Sequence, residues 1–348
     1  MRMFNISKGI VNAIEALYKA SKSAVLLGDE ISDWFSTRVG VRQGCLLSPT
    51  IFNVFLEYIM LEALDGFEGS VSIGGRTITN LRFADDIDLV AGNPEELCAL
   101  TTRLENSAKQ LGMQISAEKS KVMRMGSDKE LDVSMDGEKL GNVTQFKYLG
   151  ATITEDAKSV QEIKIWIAIA TSSLAKLKPI WRDKNISMKT RMSLLRALVT
   201  SVFLYGCETW TLNAEMEKRI NSFEMNCMRR LLQVHYTSHT SNKQIRELML
   251  SYLGEHDHLL TIVKRKQLSW FGHVIRWKGS LANAMLQGGT DGSRKRGRPA
   301  RTWLNNIKDW TGLNFQQLIR KAEDRQLWRS CVSSAISMSP QRFPSYGT

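Results

Sequence analysis

The sequence predicts an α+β fold, with short antiparallel strands and helices in the first part of the chain and helices alone in the rest. Two observations predict it. Residues 71–90 and 146–154 are rich in β-forming residues and contain Gly-Gly and Asp-Asp turn signals. From Lys158 onward, the apolar residues instead recur at helical spacing, in segments that end near Pro or Gly.

In the first half of the chain, the residue pattern predicts strands that alternate with helices. The predicted elements, in order, are a helix over 6–20, strands over 23–27 and 31–38, a helix opened by the N-cap Ser48 and Pro49, a hairpin at Gly74-Gly75, a helix over 94–111 and a strand over 146–154. In the second half, helices are predicted over 158–178, after the N-cap Ser187, over 215–235 and over 258–277. The helix after Ser187 is expected to bury Met192, Leu195, Leu198, Val199 and Val202.

Charge separates the two halves. The 348-residue chain has a net charge of +12, but residues 1–150 contain 16 Lys/Arg against 20 Asp/Glu, whereas residues 151–348 contain 31 against 15. A strongly basic second half indicates a polyanionic partner, nucleic acid above all. Basic helices that simply keep the protein in solution are the plainer alternative. The length suits two or three domains.

The cysteines and the hydropathy pattern limit the class of protein. The five cysteines, at positions 45, 98, 207, 227 and 331, form no CxxC pair, which predicts a reducing compartment without disulfides. Cys207, Cys227, His235 and His239 could be drawn as a zinc set, but the cysteine spacing is too long, so we expect buried thiols and no zinc. Without a signal-peptide pattern or an 18-residue apolar run, an intracellular protein is expected, nuclear or cytoplasmic or both, with no membrane contact.

Residues 81–90 carry the most informative pattern for chemistry. Two short apolar strands flank the adjacent Asp85 and Asp86, and because Asp is depleted in strands and frequent in turns, both belong at a hairpin tip. Two carboxylates so close together repel each other unless a hard divalent cation lies between them and a substrate. Mg²⁺ held by one or two carboxylates plus substrate phosphates suits phosphoryl transfer. A solvated surface turn is the simpler explanation of an isolated Asp-Asp pair.

Three further blocks accompany this hairpin, at residues 40–53, 111–121 and 146–150. The first contains Arg42-Gln43-Gly44 ahead of Ser48-Pro49, and the second contains Lys119. In this order and spacing, the four blocks resemble motifs B, C, D and E of the palm of reverse transcriptases encoded by LINE-type (non-LTR) retrotransposons. The resemblance continues weakly through the helical half to about Thr311.

The resemblance implies a partial right-hand polymerase palm (an antiparallel sheet with helices) over 1–156, thumb-like helices over 157–212, a basic helical region over 213–290, and a basic linker with a short helix and tail over 291–348. It implies two-metal nucleotidyl transfer to a primer 3′-hydroxyl, with an RNA template, a DNA primer and a dNTP as partners and Mg²⁺ or Mn²⁺ as cofactor. The implied catalytic residues are Asp85, Asp86 and Lys119, the two aspartates also holding the metal. The implied substrate-binding residues are Arg42, Gln43, Gly44, Phe83 and Ala84.

The sequence departs from the family pattern in two places. No aspartate block of the motif A type occurs before residue 40, so the chain is expected to begin after its own motif A and to be inactive or weak by itself. Ser116 stands where the family usually has Asn. A non-catalytic nucleic-acid-binding remnant therefore stays open as an alternative. An RNA-dependent RNA polymerase would share the Asp-Asp hairpin, but it fits the Lys119 block poorly.

Two basic clusters in the second half are predicted to contact nucleic acid. Lys264, Arg265 and Lys266 lie beside Trp270 and Phe271, a combination that suits phosphate contact with occasional base stacking. The second cluster comprises Arg294, Lys295, Arg296 and Arg298, in a Gly-rich linker that resembles an AT-hook or a nuclear localisation run. A disordered cationic loop is the simpler alternative for this linker.

Overall fold

The computed structural model describes residues 1–19, 21–37, 39–126, 130–288 and 301–337. It divides into two compact units: residues 1–122 with 131–142, and residues 123–130 with 143–348. The first unit mixes helices with small sheets, and the second is almost wholly helical beyond one strand pair. The coarse α+β prediction is therefore confirmed. The four-segment division of the sequence stays a prediction.

The first unit contains three helices and twelve short strands among the described residues. The helices are α1 (Lys8–Lys19), α2 (Ser48–Leu64) and α3 (Pro94–Gln110). The strands are β1 (Lys22–Ser23), β2 (Leu26–Leu27), β3 (Glu30–Ile31), β4 (Phe35–Ser36), β5 (Ser72–Ile73), β6 (Arg76–Thr77), β7 (Asn80–Phe83), β8 (Asp86–Leu89), β9 (Lys121–Val122), β10 (Ser134–Met135), β11 (Glu138–Lys139) and β12 (Gly141–Asn142).

The strands of the first unit form separate pairs. Each described strand pairs with a single partner, as β1 with β4, β2 with β3, β5 with β6, β7 with β8, and β10 with β11, all antiparallel, whereas β12 and β9 are parallel. The single antiparallel sheet expected of a palm is not formed by the described residues. Most strands are two residues long because turns interrupt them, so each ladder ends before a third strand can join.

The core of the first unit lies between α2 and α3. Ile59 and Met60 on α2 pack with Leu104 on α3, and Ile87 and Leu89 of β8 pack against the same cluster. Helix α3 begins as the sequence predicts, at an Asn93 side chain that accepts a hydrogen bond from the Glu96 N–H. The predicted Ser48 N-cap is wrong. Ser48 is the first helical residue, and its hydroxyl donates to the Arg42 carbonyl instead.

The second unit contains two strands and eleven α-helices among the described residues. They are β13 (Gln145–Tyr148), β14 (Ala151–Thr154), α4 (Val160–Lys176), α5 (Lys178–Arg182), α6 (Met188–Leu195), α7 (Ser201–Phe203), α8 (Ala214–Leu231), α9 (Asn242–Leu253), α10 (Leu259–Arg276), α11 (Leu281–Gln287), α12 (Trp303–Thr311), α13 (Phe315–Glu323) and α14 (Arg325–Ser337). None of the helices in the described part of the chain is long and apolar enough to cross a bilayer.

Two apolar clusters organise the helical unit. The larger runs from Ile163 on α4 through Phe203 and Trp210 to α8, α9 and the start of α10. The second joins the later part of α10 to α12, α13 and α14 around Phe271 and Trp328. Helix α10 contributes to both clusters, so it is the element on which the two parts of the helical unit meet.

Three predicted features of this unit are wrong. Residues 146–154 form a hairpin, β13–β14, rather than one strand, because Leu149 and Gly150 have positive φ and reverse the chain. Leu198 is 44% exposed, because the π-helical turn Arg196–Thr200 rotates the residues that follow away from the predicted face. The Ser-rich segment from Ser330 belongs to α14, which continues to Ser337.

The cysteines of the helical unit are deeply packed. Cys207 and Cys227 are buried, which confirms the expectation of buried thiols. Burial, reinforced by the nearby carboxylates Glu208 and Glu224, raises the pKa of each thiol to about 12. Both side chains are therefore neutral at physiological pH and serve as small apolar groups.

Buried Glu162 joins the β13–β14 hairpin to α4. Its side chain accepts hydrogen bonds from the Thr152 backbone N–H and from Trp166 Nε1–H. We expect Glu162→Ala to lower the free energy of unfolding by about 2–4 kcal/mol, because both donors would lose their partner in a buried place. Chemical denaturation measures this change. The neighbouring exposed Gln161→Ala is the control and should stay within about 0.5 kcal/mol of wild type; equal effects of the two substitutions would contradict the prediction.

Candidate active site

The adjacent aspartates lie at the tip of the β7–β8 hairpin. Phe83 pairs with Asp86, so Ala84 and Asp85 form the two-residue turn, and Ala84 has a φ of 52°. Asp85 and Asp86 are exposed, as is Phe83 at 63%. The turn is placed by the strand behind it, whose Ile87 and Leu89 side chains enter the core of the first unit. The structure thus confirms the prediction that the Asp-Asp pair lies at the tip of a hairpin.

A salt bridge ties this hairpin to α2. Arg82 Nη1 lies 2.6 Å from Glu57 Oε2, and both side chains are partly exposed. The segments before and after the two hairpins, β5–β6 and β7–β8, are tied to α3, where Glu96 accepts hydrogen bonds from the Ser70 hydroxyl and from the Ser70 and Gly92 backbone N–H groups. These hydrogen bonds hold the pKa of Glu96 below its usual range, against the effect of desolvation. The aspartate turn therefore projects from a strand pair fixed at two points.

A third carboxylate, Asp88, was not selected from the sequence. It lies two residues after Asp86, so both side chains project from the same face of β8. Burial raises the pKa of Asp88, and the nearby negative charge of Asp86 raises it further. The sequence signal for Asp88 is its position two residues after Asp86, because residues two apart in a strand lie on the same face.

The donor set fits one side of a divalent-cation site. The side chains of Asp85 and Asp86 make no hydrogen bond or ion pair with the residues that the structure describes, so their oxygens are available to a hard cation. Within the described ranges, however, no group of three or more His, Cys, Asp or Glu side chains is arranged to hold a metal ion. Such a cation would therefore complete its shell with water or substrate oxygens.

The Arg42–Gly44 loop is anchored to α1. Arg42 Nε donates to Ser21 Oγ at 2.9 Å, and its Nη2 donates to the Leu17 carbonyl at 3.3 Å. Gln43 and Gly44 are exposed, and Gly44 has a φ of 81°, a conformation that favours glycine. No heavy atom lies within 4 Å of the place where a Gly44 Cβ would stand, so this backbone is open to an approaching ligand.

Lys119 lies in a turn between α3 and β9, and its side chain is exposed. Its backbone N–H donates to Ser116 Oγ at 3.4 Å, so the serine that replaces the usual asparagine still holds this turn. No hydrogen bond or ion pair between described residues joins Lys119 or the Arg42–Gly44 loop to the aspartate turn. The structure thus brings Phe83, Ala84 and the aspartates together on one hairpin and leaves the other candidates on separate loops.

The Lys264–Lys266 run is already neutralised within the molecule. Lys264 lies 3.2 Å from a Glu217 oxygen and over the Trp310 ring, and Lys266 lies 2.8 Å from a Glu208 oxygen. Arg265 forms two hydrogen bonds with the Asp257 carboxylate. A phosphate would have to compete with these carboxylates. The predicted nucleic-acid role of this run stays a prediction, and Arg294, Lys295, Arg296 and Arg298 lie outside the described residues.

Comparisons with known proteins give one matching family model and several relatives from transposable elements. The model of the family described as reverse transcriptase (RNA-dependent DNA polymerase) matches residues 2–153. An uncharacterised transposon-derived protein of Caenorhabditis elegans is 26% identical over an alignment of 277 positions that covers 75% of this chain and 97% of the worm protein. Retrovirus-related Pol polyproteins from the type-1 retrotransposable element R2 are also similar. The one from Nasonia vitripennis is 28% identical over 191 residues, 51% of this chain.

A second R2 polyprotein, from Popillia japonica, is 22% identical over an alignment of 368 positions that covers 92% of this chain. The matched regions amount to 18% of the Nasonia polyprotein and 59% of this Popillia polyprotein. The chain thus spans only part of the length of these polyproteins but nearly all of the worm protein. The similarity includes the aspartate hairpin, which lies within the residues that the family model matches.

The raised pKa of Asp88 has a consequence for stability. Because the folded state binds this proton more tightly than the unfolded state, stability is lost as the pH rises through the pKa values of the two states. We expect Asp88→Asn to raise the melting temperature at pH 7 and to give no gain at a pH near 3, where the wild-type carboxyl is protonated in both states. Thermal melts at the two pH values measure this.

Asp85→Asn is the matched control for this pH dependence, because Asp85 is exposed in the turn of the same hairpin. The control should lack the pH-dependent gain. A gain of equal size for Asp88→Asn at both pH values would contradict an electrostatic cause, since it would point to better packing of the amide.

Proposed function

Because the chain carries a reverse transcriptase domain of the non-LTR retrotransposon type, we propose that it acts as an RNA-directed DNA polymerase that extends a primer 3′-hydroxyl with deoxynucleotides. The observation that carries the proposal is the pair of unpaired carboxylates at the β7–β8 turn, inside the matched region. The partners are an RNA template, a DNA primer and a dNTP. The proposed architecture is a palm over 1–156, a thumb over 157–212 and a basic helical region over 213–290.

In this proposal, Asp85 and Asp86 hold Mg²⁺ or Mn²⁺ through their free oxygens. The bound cation would supply Lewis-acid polarisation of phosphoryl oxygens. The primer hydroxyl would give its proton to solvent water as its oxygen bonds to the α-phosphorus of the dNTP, the bond from that phosphorus to pyrophosphate would break, and no covalent bond to the protein would form. Lys119 faces the departing pyrophosphate, where its ammonium group neutralises charge or donates a proton.

The proposed template and nucleotide contacts come from two loops. Arg42 fixes the first loop through its bonds to the end of α1 and to Ser21, and the loop offers the exposed Gln43 side chain and the open Gly44 backbone. Phe83 and Ala84 offer an apolar surface beside the carboxylates. These residues orient substrate, because orientation alone removes much of the entropic barrier to a reaction between two molecules.

A second candidate function is nucleic-acid binding without catalysis. It is favoured by one observation: within the described ranges, the aspartates and the neighbouring Asp88 do not form a group of three side chains arranged to hold a metal ion. Two-metal chemistry needs ions about 4 Å apart, and two neighbouring carboxylates supply one side of such a site. In this case, the basic second half would bind nucleic acid and the hairpin would be inert.

We also propose an intracellular location, in the nucleus, the cytoplasm or both, because the template and the reduced cysteines belong there. A C-terminal fluorescent fusion is expected to distribute between these two compartments. Accumulation in the secretory pathway would contradict this proposal.

Primer extension tests the leading proposal. We expect the chain to extend oligo-dT on poly-rA slowly and only with Mg²⁺ or Mn²⁺. We expect Asp85→Asn to lower the rate on the order of 10²-fold or more, because one of the two carboxylates that hold the cation loses its charge. Incorporation of labelled dTTP measures the rate.

Asp65→Asn is the matched control, because Asp65 is an exposed aspartate at the C-terminal end of α2 and forms no ion pair with the described residues. It should extend at the wild-type rate. Extension that survives Asp85→Asn unchanged would contradict the assignment of the hairpin. Absence of extension by wild type, with hybrid binding retained, would favour the second candidate.

A further inference from the structure

We propose that the later part of α10, together with α14, forms a binding surface for single-stranded nucleic acid, in which aromatic rings stack on bases and unpaired arginines bind phosphates. We call it the α10–α14 surface and define it by Trp270, His273, Arg276, Trp277, Arg325 and Arg329. It goes beyond the proposed polymerase function, because it requires neither the aspartate hairpin nor catalysis.

Three aromatic rings line one side of α10. Trp270 and His273 stack with ring centroids 5.3 Å apart and planes 25° apart, and His273 and Trp277 follow at 5.8 Å. His273 and Trp277 are exposed, the latter at 55%, and Trp270 is half-buried. The opposite side of the helix, with Phe271 and Ile275, lies in the core. The rings are therefore held on a supported helix and still present surface to solvent.

The arginines beside these rings have no acidic partner. Arg276 precedes Trp277, and its Nη1 donates to the Ala322 carbonyl at 2.7 Å. Burial lowers the pKa of Arg276, and the positive charges of Arg325 and Arg329 lower it further, so the three guanidinium groups lie close enough to repel. No carboxylate of the described ranges pairs with any of the three.

Tight packing fixes the two helices against each other. Gly272 of α10 faces Trp328 of α14 so closely that an added Cβ would stand 2.3 Å from the indole. Trp328 Nε1 donates to the Leu268 carbonyl at 2.8 Å, and the Phe271 and Trp328 rings lie 5.3 Å apart. Arg325 and Arg329 are exposed and lie one turn apart on α14, near Arg276. Arg276, on the same helix as the rings, is thus held next to the two arginines of α14 before any ligand arrives.

The chemistry of this surface matches a single strand. Repulsion among unpaired arginines is relieved by an anion, and guanidinium groups bind phosphate through paired hydrogen bonds. From Trp270 to Trp277, α10 rises about 10 Å, which is about three base steps of 3.4 Å each. Stacking requires exposed base faces, which a duplex hides and a single strand offers. The ion-paired run Lys264–Lys266 lacks this free charge.

Binding of a fluorescein-labelled RNA of about twelve uridines, a length within the usual site sizes, tests the proposal by anisotropy with the full chain. For Arg325→Gln/Arg329→Gln, the slope of log K against log salt should flatten by about 1.4, which is about 0.7 for each lost phosphate contact. For Trp277→Ala, affinity should fall about five-fold or more with the slope unchanged, because base stacking is lost and the phosphate contacts stay.

Matched controls separate a local surface from diffuse attraction. Arg320→Gln/Lys321→Gln removes the same charge from α13, where Arg320 lies opposite the buried Leu318, and should leave the slope unchanged. Trp277→Phe should bind nearly as wild type, because it keeps an aromatic ring. Circular dichroism melts confirm that each variant is folded.

Two outcomes would overturn the proposal: equal slope changes for the two double variants, or wild-type affinity in folded Trp277→Ala. Primer extension is independent of both results. Loss of extension in Asp85→Asn with unchanged uridine binding supports the two functions separately. Failure of extension in wild type leaves the binding result intact.

Discussion

The position of the aspartate turn depends on the apolar contact between β8 and helices α2 and α3. Ile87 and Leu89 bind the strand to the core, and the alternation of side chains along the strand then leaves Asp86 and Asp88 on the other face. A shift of one residue in the register would exchange these faces and bury the carboxylates. The Arg82–Glu57 salt bridge is weak beside this constraint, because both of its side chains reach solvent.

Some cationic side chains of the helical unit form ion pairs within the fold, and others have no carboxylate partner among the described residues. The run Lys264–Lys266 is paired with acids from α8, from the segment before α8 and from the segment before α10, so its charge stabilises the packing of this unit. The arginines of the α10–α14 surface have no such partners. The net positive charge of a segment therefore says little about where a polyanion binds. It is more informative to know which cationic side chains lack a carboxylate partner.

Local sequence rules predicted much of the fold. Alternating apolar residues around Asp85-Asp86 predicted the hairpin, and Asn93 predicted the start of α3, because both signals act within a few residues. Leu198 could not be placed, because a π-helical turn changes the period on which the prediction rests. Helix α13 was missed although Leu318, Ile319 and Ala322 recur at helical spacing behind an Asn314–Gln317 capping box, so its signals were local and readable. Helix α14 is harder to predict, because serines occupy much of its second half.

The sequence predicted which residue types form the candidate site. It did not predict how the fold arranges all of them. Turn chemistry placed Asp85 and Asp86 at the tip, but the burial that raises the pKa of Asp88 depends on how the folded chain packs around that side chain. The ion pairs of Lys264 and Lys266 likewise join residues about fifty positions apart. No local pattern contains such partners, so only the folded chain identifies them.

The burial of Cys207 and Cys227 has a consequence for oxidative damage. With pKa values of about 12, only about one thiol in 10⁵ is ionised at neutral pH. Peroxides and electrophiles react with thiolates, so these two sulfurs are unreactive while the helical core stays folded. Cys45 differs: a hydrogen bond from the Leu47 backbone lowers the pKa of its thiol, in the loop that also carries Arg42 and Gly44. Oxidants would therefore modify the proposed substrate loop well before they reach the helical core.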